Sequence, residues 1–139
     1  MVQIISGQKG KGKTKFLLDK VNASVNEVHG SIVYLDKSAK HMYELSNRVR
    51  LIDVSEYPVS SFDGFLGFIC GIISQDHDLE QMYFDSFLKL SHLEGQDITE
   101  SVLLLDRISK KFGVDFILSV STDKDDFDEE IRPYVIISL

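Results

Sequence analysis

Gly7-Gln8-Lys9-Gly10-Lys11-Gly12-Lys13-Thr14 follows the apolar run Val2-Gln3-Ile4-Ile5 and opens into Lys15-Phe16-Leu17-Leu18. The octet fits G-x-x-x-x-G-K-[ST], and its flanks read as a strand before it and a helix after it, the one order in which this loop works. Gly7, Gly10 and Gly12 allow the backbone to curl until successive N–H groups converge on an anion. The helix behind them adds the positive end of its dipole. A triphosphate is thereby cradled by main chain. Lys13 supplies a point charge for the terminal phosphates, and the Thr14 hydroxyl offers one oxygen to an octahedral Mg²⁺. The whole run Gly7, Gln8, Lys9, Gly10, Lys11, Gly12, Lys13, Thr14 and Lys15 is the candidate nucleotide-binding segment.

Charge placement points the same way. The chain of 139 residues carries a net −7, yet residues 1–20 hold five lysines against Asp19 alone, a local +4 that leaves −11 on the rest. An acidic body with one cationic spot suits a compact polyanion such as a nucleotide. Long nucleic acid asks for an extended basic face, so it is not an expected partner. Lys9 and Lys11 also read as plain solvated charges on a turn. Apolar content of 43% and charged content of 27% are those of a globular chain, and the expectation is a single domain over residues 1–139. No presequence pattern and no apolar run of roughly 18 residues is visible, so a cytoplasmic protein without a membrane span is expected. The lone Cys70 reads as a buried small hydrophobe.

Strand and helix patterns alternate along the remainder. Lys13–Val28 has helical spacing, with a stop at His29-Gly30; Ser31–Asp36 is an apolar strand; residues 39–47 read as a short helix; and Val49–Val54 as a strand. Ser60-Ser61-Phe62-Asp63 looks like a helix cap ahead of a well-buried apolar helix, Phe62–Ser74. There Gly64, Gly67 and Gly71 are expected to mark close packing on the sheet. Leu79–Asp85 is the next strand, followed by helical Phe87–His92, an amphipathic helix ending at Phe112-Gly113, the strand Val114–Val120, an acidic loop Asp123–Glu130 and a last strand Tyr134–Leu139. Such alternation implies an α/β fold with a mostly parallel sheet flanked by helices and ligand chemistry at the carboxyl ends of the strands.

A phosphate loop needs a carboxylate from another strand end to complete the Mg²⁺ site. Asp85 closes the apolar Met82-Tyr83-Phe84 and is the better candidate, with a helix cap for Phe87–His92 as its alternative role; Asp36 ends the strand after the first helix. The four histidines have no metal-like mutual spacing, although Asp76-His77-Asp78 makes a polar turn.

The order of elements resembles the RecA-like branch of P-loop NTPases, a three-layer α/β fold. Residues 7–14 look like its Walker A motif and Tyr83-Phe84-Asp85-Ser86 like its Walker B motif. The chain is also similar to small ATP-binding P-loop proteins of low-GC Gram-positive bacteria. The resemblance implies Mg²⁺-ATP as cofactor, phosphate and metal contacts from Gly12, Lys13 and Thr14, and a metal role for Asp85. It also places strand 114–120 between those carrying Gly7 and Asp85, with Ser121 or Thr122 as a sensor of the γ-phosphate. The glutamate that polarises water in RecA-like hydrolases is missing: Asp36-Lys37-Ser38 stands in its place and Ser86 follows Asp85. Asp36 and Ser121 are then the candidate catalytic residues, and a weak ATPase acting as a nucleotide-dependent switch or assembly partner is expected. A second copy or another protein would complete it, Arg107 or Arg132 being candidate fingers. Group transfer by a nucleoside or metabolite kinase, or by an adenosyltransferase, is the alternative use of the same loop.

Overall fold

The computed structural model describes residues Met1–Leu139. Six strands, β1 (Val2–Ser6), β2 (Ser31–Asp36), β3 (Val49–Asp53), β4 (Leu79–Phe84), β5 (Asp115–Val120) and β6 (Val135–Ser138), form one sheet in the order β3-β2-β4-β5-β1-β6. Every pairing is parallel. The helices are α1 (Lys13–Ser24), α2 (Phe62–Gln75), the single-turn α3 (Phe87–Leu90) and α4 (Thr99–Phe112). β5 lies between β4 and β1, as expected.

Strand periodicity sends alternate residues to opposite faces. Val33 and Leu35, Met82 and Phe84, and Phe116 and Leu118 meet Phe65, Ile69, Ile72 and Ile73 of α2 and Val102 and Leu105 of α4 in a core of 24 buried residues. Ile32, Tyr34, Tyr83 and Ile117 turn the other way, onto Leu17, Leu18 and Val21 of α1, in a core of 10. The imbalance follows from two helices covering one face and one the other. Phe84 anchors the larger core, with edge-on contacts to Phe65, Phe87 and Phe116 at 6.0, 6.1 and 5.4 Å between ring centres, a favoured aromatic geometry.

Helix ends largely follow the sequence. Ser61 caps α2 by accepting from the Gly64 N–H at 3.0 Å, and Gly113 closes α4 in the left-handed region at φ 67°, where a Cβ would be strained. Gly30 owes its place to close approach: a Cβ there would lie 2.0 Å from the Asp78 carbonyl oxygen.

Four expectations are corrected. Residues 39–47 do not form a helix; only Met42–Glu44 makes a 3₁₀ turn. Tyr43 is 91% exposed, so the segment has no buried face to offset the cost of helix nucleation. Asn22 of α1 also captures its backbone, donating to the Glu44 carbonyl at 2.8 Å and accepting from the Ser46 N–H at 2.9 Å. α1 stops at Ser24, four residues early. In α2, Gly64, Gly67 and Gly71 lie on the exposed side, and nothing stands within 4 Å of a Cβ built at Gly67 or Gly71; they mark no packing on the sheet. Cys70 on the same helix is half-buried rather than buried.

Candidate functional site

The loop from β1 to α1 turns on three glycines with positive φ, Gly7 (151°), Gly10 (87°) and Gly12 (93°). Gly7 donates its N–H to the Thr122 carbonyl at 3.2 Å, and a Cβ on it would meet the Leu139 carbonyl oxygen at 2.9 Å, so the first glycine is fixed by close approach as well as by φ. Gly12 occupies the cap position of α1 and brings no side-chain cap bond. The first-turn N–H groups therefore keep the donor capacity that an anion uses.

Lys13 is 7% exposed, its ammonium folded back to donate to the Gln8 carbonyl at 3.1 Å. Burial lowers its pKa, and the Asp85 charge partly offsets that. The lysine that would meet a phosphate is thus parked on its own loop.

Across the cleft, Thr14 donates its hydroxyl to Asp85 Oδ1 at 3.1 Å. The register of β2 and β4 fixes this carboxylate, since the Asp85 N–H donates to the Leu35 carbonyl at 2.9 Å. Asp85 is 2% exposed and its Oδ2 accepts from the Tyr34 hydroxyl at 2.9 Å. Burial, and then the Asp85 charge and hydrogen bond, push the Tyr34 phenol far above its ordinary range, so it stays a donor. Asp85 caps nothing: Ser86 holds the cap position of α3, in the left-handed region at φ 58°, a strained backbone for a non-glycine residue.

Asp36, one strand over, is 1% exposed. Its Oδ1 accepts from the Lys37 N–H at 2.7 Å, but Oδ2 is buried without any hydrogen-bond partner. Burial raises its pKa first and the Asp85 charge adds to that, against the Lys37 N–H and the charges of His41 and Lys37.

The cleft at these strand ends encloses about 510 Å³. Lys9, Gly10, Gly12, Lys13, Thr14, Asp85 and Ser121 line it, whereas Gly7, Gln8, Lys11, Lys15 and Asp36 do not; Lys15 is paired with Asp19 at 3.0 Å on the surface of α1. Thr122 also lies off the cleft, its carbonyl serving Gly7. Lys37, Lys89 and Ser119 join the lining unforeseen, although Lys37 directly follows the strand-end Asp36 and Lys89 follows Asp85 by one helical turn. Arg132 is occupied within its own loop, donating from Nε to the Phe127 carbonyl at 2.9 Å and from a terminal nitrogen to the Asp125 carbonyl at 3.2 Å. Arg107 is exposed.

A larger opening of about 960 Å³ sits at the opposite, amino ends of β2 and β4, lined by Arg48, Arg50, Asp76, Asp78 and Glu80 among others. It mixes charges of both signs and has no glycine loop. In parallel α/β sheets ligand sites form at the carboxyl ends, so the smaller cleft is the functional candidate.

No helix is long and apolar enough to cross a membrane. No protein-family model matches the sequence, and no curated protein matches it. Among solved structures, a KaiC-like protein from the hyperthermophilic archaeon Pyrococcus horikoshii OT3 superposes with a TM-score of 0.66 at 19% identity, over 98% of this chain and 69% of that one. At that identity the likeness concerns architecture, and the architecture is the RecA-like three-layer α/β fold.

Proposed function

We propose that this chain binds Mg²⁺-ATP in the cleft between the loop at residues 7–14 and the ends of β2 and β4. The observation that carries the reading is the meeting of Thr14 and Asp85, 71 positions apart in sequence and 3.1 Å apart in space, at the mouth of a glycine loop whose backbone has the required positive φ values. An all-oxygen pair of this kind suits a small hard cation. Thr14 and Asp85 would hold Mg²⁺, which when bound neutralises charge on the phosphate oxygens. Lys13 leaves the Gln8 carbonyl and takes up phosphate, Lys9, Lys37 and Lys89 add positive field, and Ser121 offers a hydroxyl from the cleft lining.

Turnover is expected to be slow. Asp36 is the only carboxylate besides Asp85 buried at these strand ends, and a raised pKa is the direction a general base needs, but it is shorter than the glutamate usual at this position. An unassisted rate on the order of 10⁻⁴–10⁻² s⁻¹ follows, that of a switch. A protein partner or second copy would be required for more.

Calorimetric titration with ATP and Mg²⁺ tests the reading. Lys13→Ala removes a charged donor worth about 1.5–3 kcal/mol, or roughly 10- to 100-fold in affinity. An affinity equal to that of the parent would overturn the assignment.

A further inference from the structure

The segment that fails to form a helix has a second effect: it carries His41 over the ends of β2 and β4. Ligand atoms of Asp36, His41 and Asp85 all lie within 4.8 Å of one another. His41 lies five positions after Asp36, and Asp85 lies 44 positions after His41, so nothing in the sequence spacing announces the group. We propose that Asp36, His41 and Asp85 form a divalent-cation site for a nitrogen-tolerant ion of the Mn²⁺, Co²⁺ or Zn²⁺ class, sharing Asp85 with the all-oxygen Thr14–Asp85 pair but filled without nucleotide.

Three observations carry it. The first is the buried Asp36 Oδ2, which has no hydrogen-bond partner in a residue 1% exposed. A carboxylate oxygen so placed costs free energy until something positive reaches it. Secondly, the Asp36 and Asp85 carboxylates, both almost fully buried, bring oxygens within 4.8 Å of each other; two such carboxylates repel, and a cation between them reverses the sign of that interaction.

The third is the orientation of the imidazole. His41 Nδ1 lies 3.1 Å from Glu44 Oε1, and a carboxylate on one ring nitrogen fixes the proton there and leaves Nε2 as the free ligand, the arrangement usual for metal-binding histidines. The Asp85 oxygens are already divided, Oδ1 to Thr14 and Oδ2 to Tyr34, and each retains lone-pair capacity for an ion. Ligand atoms around such a cation stand about 3–3.5 Å apart, so closure from separations within 4.8 Å asks for shifts of about an ångström among the three ligands. Three protein ligands leave positions open for water or a phosphate oxygen. One imidazole with two carboxylates favours the borderline ions over Mg²⁺.

Cobalt(II) titration of the nucleotide-free chain, followed by its visible ligand-field bands, tests this site. Saturation at one equivalent is expected. His41→Ala and Asp36→Asn should each weaken binding by more than about 10-fold, and Glu44→Gln, which touches only the imidazole, by about 10-fold. His77→Ala, in the Asp76–Asp78 turn, should bind cobalt as the parent does, and Lys13→Ala no more weakly than the parent, because it removes only a positive charge near Asp85. The Lys13→Ala result separates this site from the nucleotide reading. Circular dichroism checks folding of each variant; if Asp36→Asn does not fold, His41→Ala and Glu44→Gln decide, both lying on the surface loop. Parent-like affinity in His41→Ala, loss of binding in His77→Ala, or binding only when ATP is present would each overturn the proposal.

Discussion

Asp106 and Asp36 are both buried aspartates in the same small fold, and their surroundings differ in nearly every respect. Asp106, 5% exposed on α4, accepts from the Val2 N–H at 3.3 Å and the Tyr134 hydroxyl at 2.9 Å, and pairs with Lys110 at 2.8 Å. Burial opposes its charge, but Lys110, Tyr134 and the Val2 N–H outweigh that and hold its pKa below the usual carboxylate value. It ties α4 to β1 and to the turn before β6. Asp36, with one backbone donor and a bare second oxygen, ties nothing to anything and is pushed the other way. A satisfied buried carboxylate belongs to the fold, whereas a frustrated one marks a candidate site.

The contrast breaks if substitutions do not follow it. The largest effect is expected at Asp106→Ala, which strands the Tyr134 hydroxyl and the Val2 N–H and should cost about 2–3 kcal/mol in urea denaturation. A loss below about 0.5 kcal/mol would mean that the contacts to Val2 and Tyr134 do not hold α4 to β1 and to the turn before β6.

Asp36→Asn should act in the opposite sense, stabilising the ligand-free chain at neutral pH by about 1 kcal/mol because a buried, repelled charge disappears. Destabilisation instead would place Asp36 with Asp106 among the structural residues and erase the distinction. The same experiment with saturating Co²⁺ sharpens it, since the parent should then be the more stable of the two.

The smallest signal is the pH dependence. The folded pKa of Asp106 lies below the unfolded carboxylate value of about 3.9. Its contribution is therefore complete above that value and is lost as pH falls through the folded pKa. Stability profiles of the parent and of Asp106→Asn should converge in that acid window and run parallel above it. Profiles parallel throughout would show that Asp106 does not titrate differently on folding.

Legibility in the sequence divides along the same line. The glycine loop's positive φ values and the buried strand-end place of Asp85 were foreshadowed because each has a local pattern: three glycines at fixed offsets, and a carboxylate ending an apolar strand. The place of β5 between β4 and β1 followed from the resemblance to the RecA-like branch rather than from those patterns, and the rest of the strand order was not read. Residues 39–47 misled because local composition favours helix there, and only the absent buried face and the capture of the loop by Asn22 decide against it. His41 was out of reach for the same reason, its position depending on how that loop lies. The burial of Lys13 rests on a single bond to Gln8 within the loop, and the entry of Lys37 and Lys89 on how the β2 and β4 ends converge; neither leaves a periodic trace.

α2 carries a consequence for cooperativity. Three of its fourteen residues are glycines on the solvent side, and each weakens a helix by about 0.5–1 kcal/mol relative to alanine. As an isolated peptide this segment would be coil. Its helicity is borrowed from Phe65, Ile69, Ile72 and Ile73, which are buried in the larger core, so the helix has no stability of its own to retain once that core loosens. Amide protons of α2 should therefore exchange together with those of the central strands, making the helix part of the global unfolding unit rather than a locally fraying one.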